Sequence, residues 1–341
     1  MGGPPRAVAE LRTAVRPGLR ASAQPVLVAC SGGADSVALA AALAFEGRAA
    51  GRRVGGVTVD HGLQDGSADR AAGTAALLRE IGLDPVLTVA VVVGDDGGPE
   101  AAARSARYAA LGGAARDHGA RIALGHTLDD QAETVLLGLG RGSGPRSVAG
   151  MVADRVSGGV GWWRPLLGVR RAVTRQACAD AELPVWDDPW NTDPAYTRVR
   201  LRTDVLPLLE DVLGGGVAAA LARTAGLLRE DLDALDALAD AERLRLAGPD
   251  GLPAPELTGL PAALRRRVLR GWLLDAGVPD LQAVHLGAVD GLLTRWRGQG
   301  RVDLPGGAGV VRASGRLVLQ PPGPRGPSSR CHPHLSEEHH P

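Results

Sequence analysis

The sequence predicts a doubly wound α/β domain built on a mostly parallel sheet, followed by a C-terminal helical domain that ends in a small β-ribbon. Three observations carry that expectation. Short apolar runs alternate with helix-length segments through residues 25–139, the pattern of strands buried on both faces and joined by crossover helices. A glycine-rich turn, "SGGADS" (31–36), separates the first such run from the next helix. After "GGG" at 214–216 the chain becomes Ala- and Leu-rich with interleaved Asp, Glu and Arg, which reads as helix.

Taken in order, residues 1–24 read as an Arg-rich amphipathic helix. "PVLVAC" (25–30) is the first strand and 35–46 its crossover helix. "RRVGGVTVD" (52–60) and 67–82 form the second pair, with Ser67 as N-cap. "PVLTVAVVV" (85–93) and 99–119 form the third, Pro99 suiting the first helical turn. "RIALG" (121–125) and 128–139 form the fourth. "GRGSGPRS" (140–147) reads as a flexible loop near the site, because its glycines follow a helix and not a strand. Residues 164–210 read as one more α/β unit with an acidic, Pro-rich turn, "DDPWNTDP" (187–194). Beyond the linker, 217–247 is one long helix, 256–297 two or three short ones, and 300–320 the ribbon. The tail from Pro321 is rich in Pro, Ser and His and is expected to be disordered. The domains are therefore placed at 1–213 and 217–320, with a tail at 321–341.

At 341 residues and 45% hydrophobic, the chain can bury two cores. Its formal net charge is zero, so a nucleic-acid partner needs a local basic patch. All 38 basic residues are arginine; no step can use a lysine of this chain. Cys30, Cys178 and Cys331 form no C-x-x-C, which argues against a zinc site or a local redox pair. No apolar signal core or membrane-length run is apparent, and a soluble cytoplasmic protein is expected. The oligomeric state, a homodimer included, is left open.

The turn at 31–36 carries the chemistry. Glycine accepts positive φ and lets a ligand approach the backbone. Free amides of the turn and the helix's first residues then converge on one spot suited to phosphate. Ser31 and Ser36 offer hydroxyls. Asp35 would repel phosphate unless a cation lay between them, which points to a magnesium ligand. A Walker loop is excluded for want of lysine, and neither the dinucleotide fingerprint nor the nucleophile elbow fits "SGGADS". In "GHTLDDQAET" (125–134), His126 ends a strand, and Asp129 or Asp130 lies three or four residues from Glu133 on one helix face. Such an acidic pocket should receive a cation, either a metal or an ammonium-bearing substrate. Arg104 and Arg107, three apart in "EAAARSARY" (100–108), share a face and suit phosphate oxygens.

"SGGADS" resembles the pyrophosphate-binding loop of the PP-loop ATP pyrophosphatases, which have a Rossmann-like sheet. "VDHGLQDGS" (59–67), "EAAARSARY", "GHTLDDQAET" and "DDPWNTDPAYTRVRLR" (187–202) resemble the tRNA(Ile)-lysidine synthetase family. "LPAALRRRVLRGWLLDAG" (260–277) and "GQGRVDLPGG" (298–307) do so more loosely. The resemblance implies a ligase that uses ATP and Mg2+ to join free L-lysine to the wobble cytidine of an isoleucine tRNA with a CAU anticodon. It implies an adenylated cytidine intermediate. Ser31, Gly32, Gly33, Ala34, Asp35 and Ser36, with Asp60 and His61 at the end of the second strand, would hold the nucleotide. Asp35 would hold the metal. Asp35, Arg107, His126 and Asp130 would serve catalysis, and Asp129, Asp130 and Glu133 the lysine. Arg104, Arg198, Arg200, Arg202, Arg265, Arg266 and Arg267 would meet the tRNA. The family shows asparagine after the first arginine of "TRVRLR"; here it is Val199. Asp188 and Asn191 fit a turn-stabilising role as well as a catalytic one.

Between 259 and 320 nine arginines face four aspartates, a local excess able to contact phosphates. Arg164, Arg170 and Arg171 form another basic run. Trp162, Trp163 and Trp296 could stack on bases, though a core role is the simpler reading. Two rivals remain. A PP-loop tRNA thiolase would need paired cysteines near Asp35. A non-catalytic nucleotide-sensing RNA-binding protein would have no use for the acidic pocket.

Overall fold

A computed structural model describes residues 3–94, 98–142 and 144–322. The tail beyond 322, with Cys331, and the side chain of Glu100 lie outside the described residues. The chain divides into two compact units, residues 1–229 and 230–341.

The first unit runs α1 (Arg6–Ala21), β1 (Val26–Ala29), α2 (Ala34–Ala49), β2 (Val54–Asp60), α3 (Ser67–Ile81), β3 (Val86–Ala90), α4 (Pro99–Asp117), β4 (Arg121–Leu124) and α5 (Leu128–Arg141). It continues with α6 (Pro145–Val148), β5 (Asp154–Ser157), β6 (Val160–Trp163), α7 (Arg171–Asp180), α8 (Thr197–Arg200) and α9 (Leu206–Val212), with a π-helical turn over Leu201–Val205 between the last two. The sheet order is β3-β2-β1-β4-β6-β5. All neighbours pair in parallel except β5, which runs antiparallel to β6 at the edge. Successive crossovers move outward from β1 to β3, and then β4 returns to the other side of β1. The carboxyl ends of β1 and β4 therefore frame a topological switch point, where such sheets take their ligands.

Burial explains the elements. α2 is apolar around most of its circumference, as a helix sandwiched on all sides must be. α1 presents Ala7, Leu11, Val15 and Leu19, one residue every four, to the same core as α2 and α7. Each fully buried leucine contributes about 2 kcal/mol relative to exposure. Trp162 and Trp163 are buried in the sheet cores, not held out for base stacking.

Three local expectations are corrected. Ser67 is not the N-cap of α3: Gly66, in left-handed conformation, occupies that position. "GRGSGPRS" is not wholly loop, since the end of α5 and the short α6 claim part of it. Residues 164–210 contain no strand among those described; the strand pair precedes them, turning at Gly158 and Gly159, both at positive φ. A Gly-Gly pair between short strands is a hairpin signal.

α10 (Val217–Leu246) follows the three positive-φ glycines 214–216 and contains the division between the units. The second unit continues with β7 (Leu252–Pro253), α11 (Ala254–Gly259), α12 (Ala262–Asp275), α13 (Ala283–Thr294), β8 (Val302–Asp303), β9 (Gly309–Ala313) and β10 (Arg316–Gln320). The ribbon is thus part of a four-stranded antiparallel sheet, β7-β10-β9-β8. Leu252, Leu257, Leu269, Leu273, Val289 and Val310 centre its core. Among the described residues no single helix is long and apolar enough to cross a membrane.

Two glycines of α5 test the packing with opposite signs. A Cβ at Gly138 would collide with the Ser147 carbonyl, whereas one at Gly140 meets nothing within 4 Å. Gly138→Ala is expected to lower unfolding stability by about 1–3 kcal/mol through overpacking. Gly140→Ala should raise it by roughly 0.4–1 kcal/mol. Urea unfolding of both variants checks the pair.

Candidate functional site

The loop between β1 and α2 is shaped from within. Gly32 has φ +85°, and a Cβ there would press on Thr74 Oγ1 at 2.9 Å. Its carbonyl accepts the Trp186 amide at 2.9 Å, tying the segment after α7 to the loop. Ser36 is a brace and not a free donor: its hydroxyl donates to the Gly33 carbonyl (2.9 Å) and accepts the Ser31 amide (3.2 Å). Ser31 is exposed. The Gly32 amide faces the Cys30 sulfur, whereas no backbone hydrogen bond among the described residues engages the amides of Gly33, Ala34 and Asp35. They form an open N-terminal turn of α2, where anions are favoured.

The Asp35 side chain meets α7. One carboxylate oxygen accepts the Thr174 hydroxyl, and the other accepts Arg171 Nε at 3.3 Å. Burial pushes its carboxyl up; Thr174 and Arg171 pull it back, and the neighbouring Asp130 charge adds to the rise. Asp60, at the end of β2, accepts the Gly62 amide at 3.0 Å, and bonding to Ser67 and Gly62 lowers its carboxyl. His61 follows, its Nδ1 buried without a partner. Burial and then Arg107 lower its pKa.

α5 begins with a capping box. Asp130 Oδ2 accepts both the Thr127 amide and its hydroxyl at 2.8 Å. The other oxygen, Oδ1, accepts Arg171 Nη2 at 2.6 Å. Burial pushes Asp130 up, but Arg171 and Thr127 outweigh it and leave the carboxyl below its ordinary range. One turn on, Glu133 is fully buried. Its Oε1 accepts Arg202 Nε at 3.0 Å and Arg171 Nη1 at 3.4 Å. Its Oε2 has no hydrogen-bond partner, with Arg198 Nη1 3.8 Å away. Asp129 turns aside, holding the Arg171 amide at 2.8 Å and the Arg170 guanidinium at 3.1 Å. The Leu128 amide donates to the Val169 carbonyl at 2.9 Å, so the start of α7 is pinned to the start of α5.

Arg198, Arg200 and Arg202, expected to meet the tRNA, lie on α8 and the π-helical turn after it. Residues 198 and 202 share a face toward Glu133, while Arg200 stays exposed beside Asp204. Arg265, expected at an RNA surface, is 8% exposed; its Nε donates to Asp290 at 2.6 Å and its Nη1 to the Leu260 carbonyl at 2.8 Å. A guanidinium so enclosed offers nothing to a phosphate. Arg267 pairs with Asp236 at 2.7 Å, and Arg266, 60% exposed, reaches Asp290 at 3.2 Å. Asp188 accepts the Trp190 amide at 3.0 Å and so stabilises its turn.

On α4, Arg107 makes no ion pair among the described residues; it stands 5.9 Å from the Tyr108 ring, and burial lowers its pKa. Arg104 donates to the Tyr108 hydroxyl at 3.3 Å. Arg164, just past β6, is buried with its Nε unpartnered. These guanidiniums surround His126, whose buried Nδ1 is also unpartnered. Burial, opposed by Asp130 and aided by the arginines, lowers its pKa to about 3. The site therefore has a cationic side at α4 and an anionic side at α5. Arg171 was expected only as part of a basic run for tRNA, and Thr174 and Trp186 were not foreseen. The spacing of Arg171 and Thr174, on one face of a helix's first turn, was the available signal.

Both Cys30 and Cys178 border the loop, Cys30 Sγ 3.4 Å from Ser36 Oγ and Cys178 Sγ 3.4 Å from the Ala34 carbonyl. Both are buried. Burial, then Asp35 and Cys30, push the Cys178 thiol up to about 11. That environment opposes the thiolate a sulfur carrier needs.

The fold and open loop define a PP-loop ATP-using enzyme. Residues 6–209 match the PP-loop domain, and residues 252–318 match the TilS substrate binding domain. The chain is 58% identical over 308 residues to the tRNA(Ile)-lysidine synthase of Streptomyces coelicolor, covering 89% of this chain and 87% of that one. It is 55% identical over 325 residues to the enzyme of the same name from Thermobifida fusca, covering 94% and 99%. The chain belongs to the tRNA(Ile)-lysidine synthase family. The U34-tRNA thiolase NcsA of Methanococcus maripaludis shares the fold, with a TM-score of 0.53 and 19% identity over 65% of this chain and 80% of that one.

His126 has a consequence for acid stability. Its folded pKa of about 3 lies below the ordinary 6.5, so the unfolded chain binds the extra proton. The stability is present above about pH 6.5 and is lost as pH falls toward 3. Between pH 7 and pH 5 the parent is expected to lose about 2 kcal/mol more than His126→Asn. Urea unfolding at the two pH values measures the difference.

Proposed function

We propose that this chain joins free L-lysine to the wobble cytidine of an isoleucine tRNA with a CAU anticodon, cleaving ATP to AMP and pyrophosphate. The observation that carries this reading is the placement of the open amides 33–35 and the carboxylates of Asp130 and Glu133 at one switch point, with Asp35 between them.

The amides of 33–35 hold the ATP phosphates, and Asp60 and His61 border the base. No group of three metal-ligating side chains occurs among the described residues. A magnesium ion carried mostly by phosphate oxygens would take Asp35 as its protein ligand, through the oxygen that now accepts Arg171 Nε. When bound, that ion neutralises charge at the phosphates. Arg107, without an acidic partner, is free to meet the oxyanion that develops at the α-phosphate.

The cytidine carbonyl oxygen attacks the α-phosphate and pyrophosphate leaves. The lysine amine then attacks the activated ring carbon, and the carbon–oxygen bond breaks to release AMP. Before that attack the ammonium must lose a proton. Asp130 and Glu133 hold the ammonium, the unpartnered Oε2 of Glu133 supplying a ready acceptor. His126 stays neutral and is too weakly basic to serve better than a carboxylate. It contributes hydrogen bonding. Arg198 and Arg202 shape the lysine pocket through Glu133. Arg104, Arg200 and Arg266 keep exposed charge for tRNA phosphates.

Removing one charged hydrogen-bond acceptor costs about 1.5–3 kcal/mol. Glu133→Gln should therefore raise the KM for lysine roughly tenfold to a hundredfold, while lysine-free pyrophosphate release from ATP and tRNA persists. Asp35→Ala should abolish both. Pyrophosphate assays and mass spectrometry of the tRNA test this. Release that requires a sulfur donor, or tRNA without added lysine, overturns the reading.

A further inference from the structure

The densest ionic contact in the site involves a residue with no place in the reaction just described. One guanidinium, that of Arg171, reaches Asp35 (3.3 Å), Asp130 (2.6 Å) and Glu133 (3.4 Å) through three different nitrogens. The first carboxylate is the nucleotide's neighbour, and the other two form the ammonium pocket. The pocket is thus filled by a cation of the chain itself. A guanidinium nitrogen 2.6 Å from Asp130 Oδ1 excludes an ammonium from that oxygen.

We propose that Arg171 is a positioning residue that holds the ammonium's place until nucleotide binds, and then turns to the phosphates. This rests on the assignment of Asp130 and Glu133 to lysine. The anchoring permits the exchange. The Arg171 amide is fixed by Asp129 at 2.8 Å, and α7 is tied to the loop through Thr174 and Trp186. Only side-chain torsions need change. The side chain is 16% exposed, so the guanidinium has an outlet. It already touches Asp35, which α2 carries next to the open amides, so phosphate oxygens on those amides come within reach. A polyphosphate offers forked acceptors and more charge than the carboxylates it replaces. After the turn, Arg202 remains on Glu133 at 3.0 Å. Arg198 also stays 3.8 Å from Glu133 Oε2, so it is Asp130 Oδ1, 2.6 Å from Arg171 before the turn, that is left for one ammonium.

The exchange couples the two ligands. Lysine binds weakly to the free protein and more tightly to the nucleotide complex, and by linkage lysine tightens nucleotide equally. Equilibrium dialysis with radiolabelled lysine tests this on the full chain. It is run with and without magnesium and α,β-methylene-ATP, which cannot be cleaved at the scissile bond. The parent should gain about tenfold in lysine affinity with the analogue. Arg171→Gln, with no cation to displace, should bind lysine without nucleotide as tightly as the parent does with it, and gain little more. Arg171→Lys, whose single ammonium cannot span three carboxylates, should fold and show a smaller gain than the parent.

Equal lysine affinity in the parent with and without the analogue overturns the proposal whatever the variants do. So does weaker nucleotide-free binding by a folded Arg171→Gln, which would make the guanidinium an organiser of the pocket. A full parental gain in Arg171→Lys also overturns it. If the parent binds lysine without coupling, the proposed function stands and only the place-holding role fails. If it binds no lysine even with the analogue, both fall.

Discussion

Carboxylates gathered in a half-buried pocket repel one another, and the fold must supply positive charge to keep them there. The first unit does so with arginine alone. Arg171 and Arg202 hold Asp130 and Glu133, Arg170 holds Asp129, and Arg171 reaches across to Asp35. Burying an ion pair gains little by itself, but breaking one leaves an uncompensated charge at high cost. The starts of α2, α5 and α7 are therefore locked together by electrostatics as much as by packing. The open amides of 33–35 lie beside this knot, so the loop inherits its position from it.

The rest of the first unit serves that junction. The order β3-β2-β1-β4 brings the ends of β1 and β4 together, although almost a hundred residues separate them. α1 and α7 press α2 onto the sheet through a shared apolar core, which fixes the loop's exit direction. The cationic side at α4, with Arg104, Arg107 and Arg164 around a neutral His126, stands apart from the anionic side at α5. Such segregation suits the proposed reaction, in which phosphate and ammonium are held at once without meeting.

Much of this was legible beforehand. The first four strand–helix pairs follow from apolar periodicity, and the loop from glycines that only a tight, approachable turn requires. Asp130 and Glu133 were readable as neighbours from helical spacing. What escaped depended on contacts distant in sequence. Arg171 looks like any arginine in an arginine-rich chain until α7 is laid against α5. Arg265 looks like surface charge until Asp290 is found beneath it. Arg198 and Arg202 read as RNA contacts, yet their helical backbone sets both toward Glu133. Ser36 reads as a phosphate donor, yet its hydroxyl is consumed in bracing its own loop. Short hairpin strands such as β5 and β6 carry too few residues for periodicity to register.

Two thiols sealed against the nucleotide loop have a practical corollary. Cys30 touches Ser36 and Cys178 touches the Ala34 carbonyl, so the first turn of α2 is part of the cover that keeps an alkylating reagent from either sulfur. The rate at which these cysteines are modified is consequently a native clock for the breathing of the cradle. It needs no introduced label, and a ligand that steadies the turn will slow it.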